Sequence, residues 1–266
     1  MRGARWARRA LGLAALFAAA IPAAAQAETV TIGSQLTSTN SLQYGCVSPC
    51  TAVQRDRPSP QALSETSPVN GLITSWAVRD MSMGQTLALR VLHPTGPVNY
   101  TATGTTTAPS AIPAATDTVY HYAAALPIKQ GDALGFQSAT ALGSIPVHYY
   151  TPGHGWSFLQ DLTGPPDGSN GAFTDPGSNS EYELLVQATI SFCRVPDVSG
   201  QTAAAAQQAL GAAGCGSQVS QKRLKNRKKN KRKKGKVLSQ DPAAGSTVEP
   251  GATVNVVVAK LAKKRK

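Results

Sequence analysis

The chain has 266 residues, with 26 Lys and Arg, 14 Asp and Glu, and four cysteines. That length leaves room for more than one hydrophobic core, and a 41% apolar content excludes a wholly disordered chain. The formal net charge of +12 points to polyanionic partners, but the positive excess is confined to the two ends of the chain.

The opening "MRGARWARRA" carries four arginines and no acid, and "LGLAALFAAAIP" follows as a short apolar segment. Small residues at Ala25 and Ala27 then complete an A-x-A site. This pattern reads as a secretory signal peptide over residues 1–27, with the mature chain starting at Glu28. A retained membrane anchor is the alternative, but the stretch is short and Pro22 interrupts it. No later segment has the length of a transmembrane helix, so the mature chain is expected to be secreted and to contain no span. Export makes disulfides possible. Cys46, Cys50, Cys193 and Cys215 permit three pairings, and their spacing favours Cys46–Cys50 with Cys193–Cys215. A C-x3-C pair with no histidine close by is a poor structural zinc site.

From Glu28 to Cys193 there are five basic and eleven acidic residues, a net charge of −6. Residues 28–192 read as one all-β unit. "ETVTIGS", "GLITSWAV", "QTLALRVL", "DTVYHYAAAL", "ALGFQSA", "IPVHYY", "WSFLQ" and "YELLVQATISF" are β-branched, aromatic or alternating runs. Turn chemistry separates them, as in "SPVNG", "KQGD" and "GPPDGSNG". Short strands with Gly- and Pro-rich turns predict an antiparallel β-sandwich of jelly-roll type. "LPIKQGDALGF" resembles the strand–turn–strand of secreted jelly-roll modules, in which Gly-Asp turns the chain between two core strands.

No nucleophile elbow, phosphate loop or H-E-x-x-H pattern is present in the sequence. His93, His121, His148 and His154 fall on or beside predicted strands. His148 and His154 could face each other across a hairpin with His121 as a third zinc ligand, but surface histidines are the more ordinary reading. Tyr120, Tyr122, Tyr149 and Tyr150 would suit a polysaccharide lyase, yet alternating strand aromatics mostly pack across strands. Trp76, Trp156 and Tyr149 are too few to map to one sugar-stacking face. Asp167, Asn170, Asp175 and Glu181 offer oxygen ligands for calcium, but at no EF-hand spacing and in residue types that also make turns. No catalytic residue, metal or cofactor is assigned.

From Arg194 onward there are seventeen basic and three acidic residues, a net charge of +14. "VPDVSGQTAAAAQQALGAAGC" reads as an extended piece and then a helix from about Thr202 to Ala213. Thr202 is its N-cap and Gly214 its stop, with an apolar stripe of Ala206, Leu210 and Ala213. Strands are predicted near Ser217–Gln221, at Val237–Gln240 and at Thr253–Ala259. "VPDVSG", the Ala-rich helix and "VLSQDPAAGSTVEPGATVNVVV", in that order, resemble a PASTA domain. That resemblance implies a small β-α-β-β unit over residues 193–260, present in one copy, and a partner in peptidoglycan. It departs from the family pattern between its second and third strands, where the basic run stands.

That run comprises Lys222, Arg223, Lys225, Arg227, Lys228, Lys229, Lys231, Arg232, Lys233, Lys234 and Lys236. It is expected to be an extended cationic loop over 222–236, with a basic tail at 261–266. Eight of its eleven cations are lysines, and no aromatic residue follows Arg194. Lysine suits a polyanion of loose geometry, and the lack of aromatics leaves nothing to stack on bases. Anionic wall polymers are therefore the expected ligands of the loop and specific nucleic-acid recognition is not expected; a solvated, non-binding loop is the bland alternative. The chain thus reads as a secreted, non-catalytic cell-wall protein whose sandwich presents a glycan- or protein-binding surface. The rival from another class is a carbohydrate-active sandwich anchored by the C-terminal domain. A third reading is an envelope protein whose acidic and basic parts associate with each other. No residue pattern fixes the oligomeric state.

Overall fold

A computed structural model describes residues 27–37, 41–45, 50–56, 63–80, 86–111, 117–138, 144–150, 157–162, 164–174, 181–225 and 227–262. The first part of the chain is made of strands. They are β1 (Glu28–Gly33), β2 (Ser41–Gly45), β3 (Cys50–Asp56), β4 (Gly71–Asp80), β5 (Leu87–Pro94), β6 (Asn99–Thr107), β7 (Thr118–Ile128), β8 (Ala133–Ser138), β9 (Ser144–Tyr150), β10 (Ser157–Asp161), β11 (Asn170–Ala172), β12 (Glu181–Leu184) and β13 (Val186–Arg194). One sheet has the order β1-β13-β4-β7, a second β10-β3-β8-β5-β6-β11 and a third, smaller one β12-β9-β2. Every pairing among them is antiparallel. Only β5 and β6 are both consecutive and paired, so most connections cross from one sheet to another. The expected antiparallel sandwich is the observed fold.

The main core lies between the sheets. Ile73, Trp76 and Val78 of β4 meet Leu87, Leu89 and Val91 of β5, with Phe136 and Ile190 beside them. Trp76 is 1% exposed and packs on Tyr122, ring centroids 4.6 Å apart. A tryptophan so enclosed cannot stack on a sugar. β5 is buried along its whole apolar length, because its other face carries a second cluster with Tyr100, Leu159 and Phe173. The "KQGD" turn makes the corner from β7 into β8. Gly131 takes a φ of +88°, and the buried Asp132 carboxylate accepts the Lys129 N–H at 2.9 Å. A positive φ is why glycine stands there.

The C-terminal part contains α1 (Ala203–Ala212), β14 (Gly216–Leu224), α2 (Arg227–Asn230), β15 (Val237–Asp241), β16 (Thr247–Val248) and β17 (Thr253–Leu261). Its sheet runs β14-β17-β15, with β14 parallel to β17 and β15 antiparallel to it. Helix α1 buries Ala206 and Leu210 against Val254, Val256 and Val258. The β-α-β-β order read from the sequence is present.

Several expectations are revised. β2, β3, β6 and β11 were not predicted; β6, "NYTATGTTT", has too few large apolar residues to read as a strand. The run "YELLVQATISF" is two strands in different sheets, broken at Leu185. The division between the two units is also less sharp than the charge step implies. β13 continues to Arg194 and pairs with β16 through Cys193↔Val248 and Arg194↔Thr247. Asn70 adds two bonds to Thr247, from its backbone N–H at 2.9 Å and from its side-chain amide at 3.1 Å.

Candidate functional site

The sequence "VPDVSGQT" builds the start of the C-terminal module residue by residue. Asp197 Oδ1 accepts the Ser199 N–H at 2.9 Å, and Gly200 follows with a φ of +72°. Thr202 then caps α1 by accepting the Ala205 N–H at 3.3 Å, as the sequence predicts. At the other end of the helix, Cys215 is bonded to Cys193, with Cα atoms 5.4 Å apart. This is the expected second pairing. Cys50 is also disulfide-bonded, while Cys46, its expected partner, lies outside the described residues.

The basic run is not the extended loop that its composition suggests. Lys222 and Arg223 belong to β14, Lys225 lies in a bend, Arg227–Asn230 form the helical turn α2 and Lys231–Lys233 a 3-10 turn. Backbone bonds tie this cap down. The Gly235 N–H donates to the Ala259 carbonyl at 2.9 Å, the Ala259 N–H to Lys236 at 2.9 Å and the Val237 N–H to Gln201 at 2.9 Å. Asn230 Nδ2 donates to the Lys225 carbonyl at 2.7 Å. Asparagine at 230 and glycine at 235, with a φ of +71°, are what allow so charged a segment to fold back on itself.

This folding gathers charge at one pole. A three-residue turn joins α1 to β14, so the start of the helix lies where β14 ends. There Thr202 and Lys236 form a β-bridge. In-register neighbours on parallel strands share a face, which puts Arg223 beside Lys260. The first turn of α1 holds no acidic residue, so its positive end adds to the same field. Lys222, Arg223, Lys225, Lys228, Lys229, Lys231, Arg232, Lys233 and Lys234 are exposed, and Lys236 is half-buried. The side chain of Arg227 and residues 263–266 of the tail lie outside the described residues. Between the Gly200 turn and the cap runs a groove of about 400 Å³ lined by Arg232, Lys233 and Lys236 over Val237 and Leu238. Sequence reading missed the parts that Gly200 and Lys260 play here, because only the crossover topology brings them to the run.

The candidates in the sandwich are dispersed. His93, His121 and His148 stand on three different sheets, and His154 lies outside the described residues. His93 Nδ1 is 2.7 Å from Asp132, and His121 points outward on β7. Tyr120 and Tyr122 pack against the core, and Tyr149 is 43% exposed with its ring near Tyr182. Trp156, like Asp175 and the side chains of Tyr150 and Glu181, lies outside the described residues. Asp167 and Asn170 are already engaged. Asp167 accepts from Thr105 at 2.7 Å and from Arg90 at 3.3 Å; Asn170 accepts from Thr95 at 3.0 Å. Arg90 is 2% exposed and also donates to Gln137 and to the Pro165 carbonyl. Burial pulls its pKa below the usual arginine value, against the opposing pull of Asp167 and Asp161. Of the residues offered for calcium, Asp167 thus anchors its loop over the sheet through an arginine, and Asn170 through a threonine.

Helix α1 packed on the parallel pair β14 and β17, with a disulfide at its C-terminal end, defines a small α+β module with one strongly cationic end. Residues 194–260 are a PASTA domain, matched by that family over this span and present as a single C-terminal copy. The domain marks a cell-wall- or peptidoglycan-related protein; such domains typically bind peptidoglycan-related ligands. No curated protein and no solved structure matches the chain. Among the described residues no helix is long and apolar enough to cross a membrane.

Proposed function

We propose that this is a secreted, non-catalytic cell-wall protein that attaches through its PASTA domain. The domain contacts peptidoglycan through its fold and anionic wall polymers through the cations of 222–236, while the sandwich faces outward with a glycan- or protein-binding surface. The observation that carries the reading is the cationic pole. A run of eleven cations is held by backbone bonds against β17 and the start of α1, so its charge is presented in a fixed place. A solvated run without a partner would have no need of that anchoring. The non-catalytic part rests on the dispersal of the sandwich's candidates, with His93, His121 and His148 on three different sheets.

The test replaces every Lys and Arg of 222–236 with Ser or Gln. Wall binding is expected to fall and to lose its dependence on salt, because each neutralised contact removes one screened interaction. The thermal unfolding midpoint should stay near that of the wild type, since the described side chains of the run are solvated or nearly so. Unchanged wall binding by a folded variant would refute the polyanion role.

A further inference from the structure

The eleven cations are not equivalent. Lys222, Lys225, Lys228 and Lys231 are exposed away from the groove lining, whereas Arg232, Lys233 and Lys236 line the groove beside Gly200. Its walls are fixed on both sides. The Gly200 N–H donates to the Val237 carbonyl at 3.1 Å, the Val237 N–H to Gln201, and the Lys236 N–H to Lys233 at 3.0 Å. Asp197, three residues before Gly200, spends its carboxylate on the Ser199 turn. None of the ion pairs among the described residues involves Arg232, Lys233 or Lys236. Three cations are thus converged by the backbone on one space, where like charges repel unless an anion sits between them.

We infer that this groove is a discrete subsite for one phosphodiester group of a polyol-phosphate chain. The inference rests on the polyanion reading above and narrows it to three side chains. A guanidinium presents two parallel N–H groups to two oxygens, and the two ammoniums approach as point charges. A phosphodiester sets its two anionic oxygens and two ester oxygens tetrahedrally about phosphorus, so donors can approach from several sides, whereas a carboxylate's two oxygens accept mainly in one plane. The floor of Val237 and Leu238 suits the carbon chain that leads from one phosphate to the next. The remaining cations attract the polymer without fixing it.

The test compares two variants of the mature protein that each remove one Arg and two Lys. The groove variant is Arg232→Ser/Lys233→Ser/Lys236→Ser, and the control is Lys222→Ser/Arg223→Ser/Lys225→Ser. Binding of glycerophosphoglycerol, a soluble phosphodiester of two polyols, is followed by the amide shifts of Gly200, Lys236 and Val237. The wild type is expected to saturate, the groove variant to lose about tenfold or more in affinity, and the control to change by about twofold or less. Equal losses in both variants, or shifts that never saturate in the wild type, would overturn the subsite and leave the wider polyanion reading standing. Parallel sedimentation with purified walls and with phosphatidylglycerol vesicles separates the two sources of such a phosphodiester; wall-selective loss in the groove variant is the expected result. A groove variant that keeps full retention on walls would overturn the inference. Should that variant fold poorly, Arg232→Ser/Lys233→Ser, which touches only exposed side chains, carries the same comparison.

Discussion

Asp197 shows how one side chain can set up a site it does not touch. Its carboxylate accepts the Ser199 N–H, and that bond, with the Ser199 hydroxyl, holds its pKa below the ordinary 3.8. The turn it closes delivers Gly200 to the groove and Thr202 to the helix cap. A carboxylate with a depressed folded pKa contributes stability that is present above its unfolded value and is lost as the pH falls through the folded one. The difference in melting temperature between wild type and Asp197→Asn should therefore be constant above about pH 5 and shrink in more acidic buffer. A difference that ignores pH would mean that the charge plays no part in the turn. "VPDVSG" announced this turn in the sequence, since Asp, Ser and Gly are turn formers with a mechanism. Arg90 was not announced. "LALRVL" reads as an ordinary strand, and only the second layer over β5 shows that its arginine is 2% exposed and pins the Pro165–Asp167 loop.

At the scale of elements, the module depends on a staple because its helix offers little to bury. Of α1, only Ala206 and Leu210 are buried, and an Ala-rich helix contributes a thin core. The Cys193–Cys215 bond closes a separation of 22 residues and ties the last sandwich strand to the end of the helix. Replacing both cysteines with serine should cost the module about 3 kcal/mol, the chain-entropy value for a loop of that length. Denaturant unfolding of the two forms measures it, and a loss under about 1 kcal/mol would mean that the valine core suffices alone. The helix, its cap and the two terminal strands of this module were legible because propensity, capping and the Gly-Pro turn all agree there. The basic run was misread because composition describes solvation and says nothing of backbone anchoring. Its fold depends on partners far away in the chain, Gln201 and Ala259. In the sandwich, β6 and β2 were missed for a related reason. Their pairing with β5 and β9 makes them strands, whereas their own residues include too few large apolar side chains to show it.

For the whole molecule, the change of charge sign between the two parts does not mark a structural break. The pairing of β13 with β16 and the Asn70 bonds to Thr247 join them. The joint is made chiefly of backbone and amide bonds, so salt should not undo it, unlike an association driven by net charge. The cationic pole lies at the end of the module where β14 and β17 finish, and β16, near their start, makes the joint. The module can therefore hold the sandwich away from whatever the pole binds. The direct test is co-sedimentation of the mature protein with purified cell walls, at low salt and at ~0.5 M salt, before and after acid extraction of their anionic polymers. The account predicts strong retention on intact walls at low salt, with clear losses on adding salt and on extraction, and only a residue held by peptidoglycan itself. Retention that is the same in all four conditions would contradict the role given to the basic pole, and no retention in any of them would contradict wall attachment altogether.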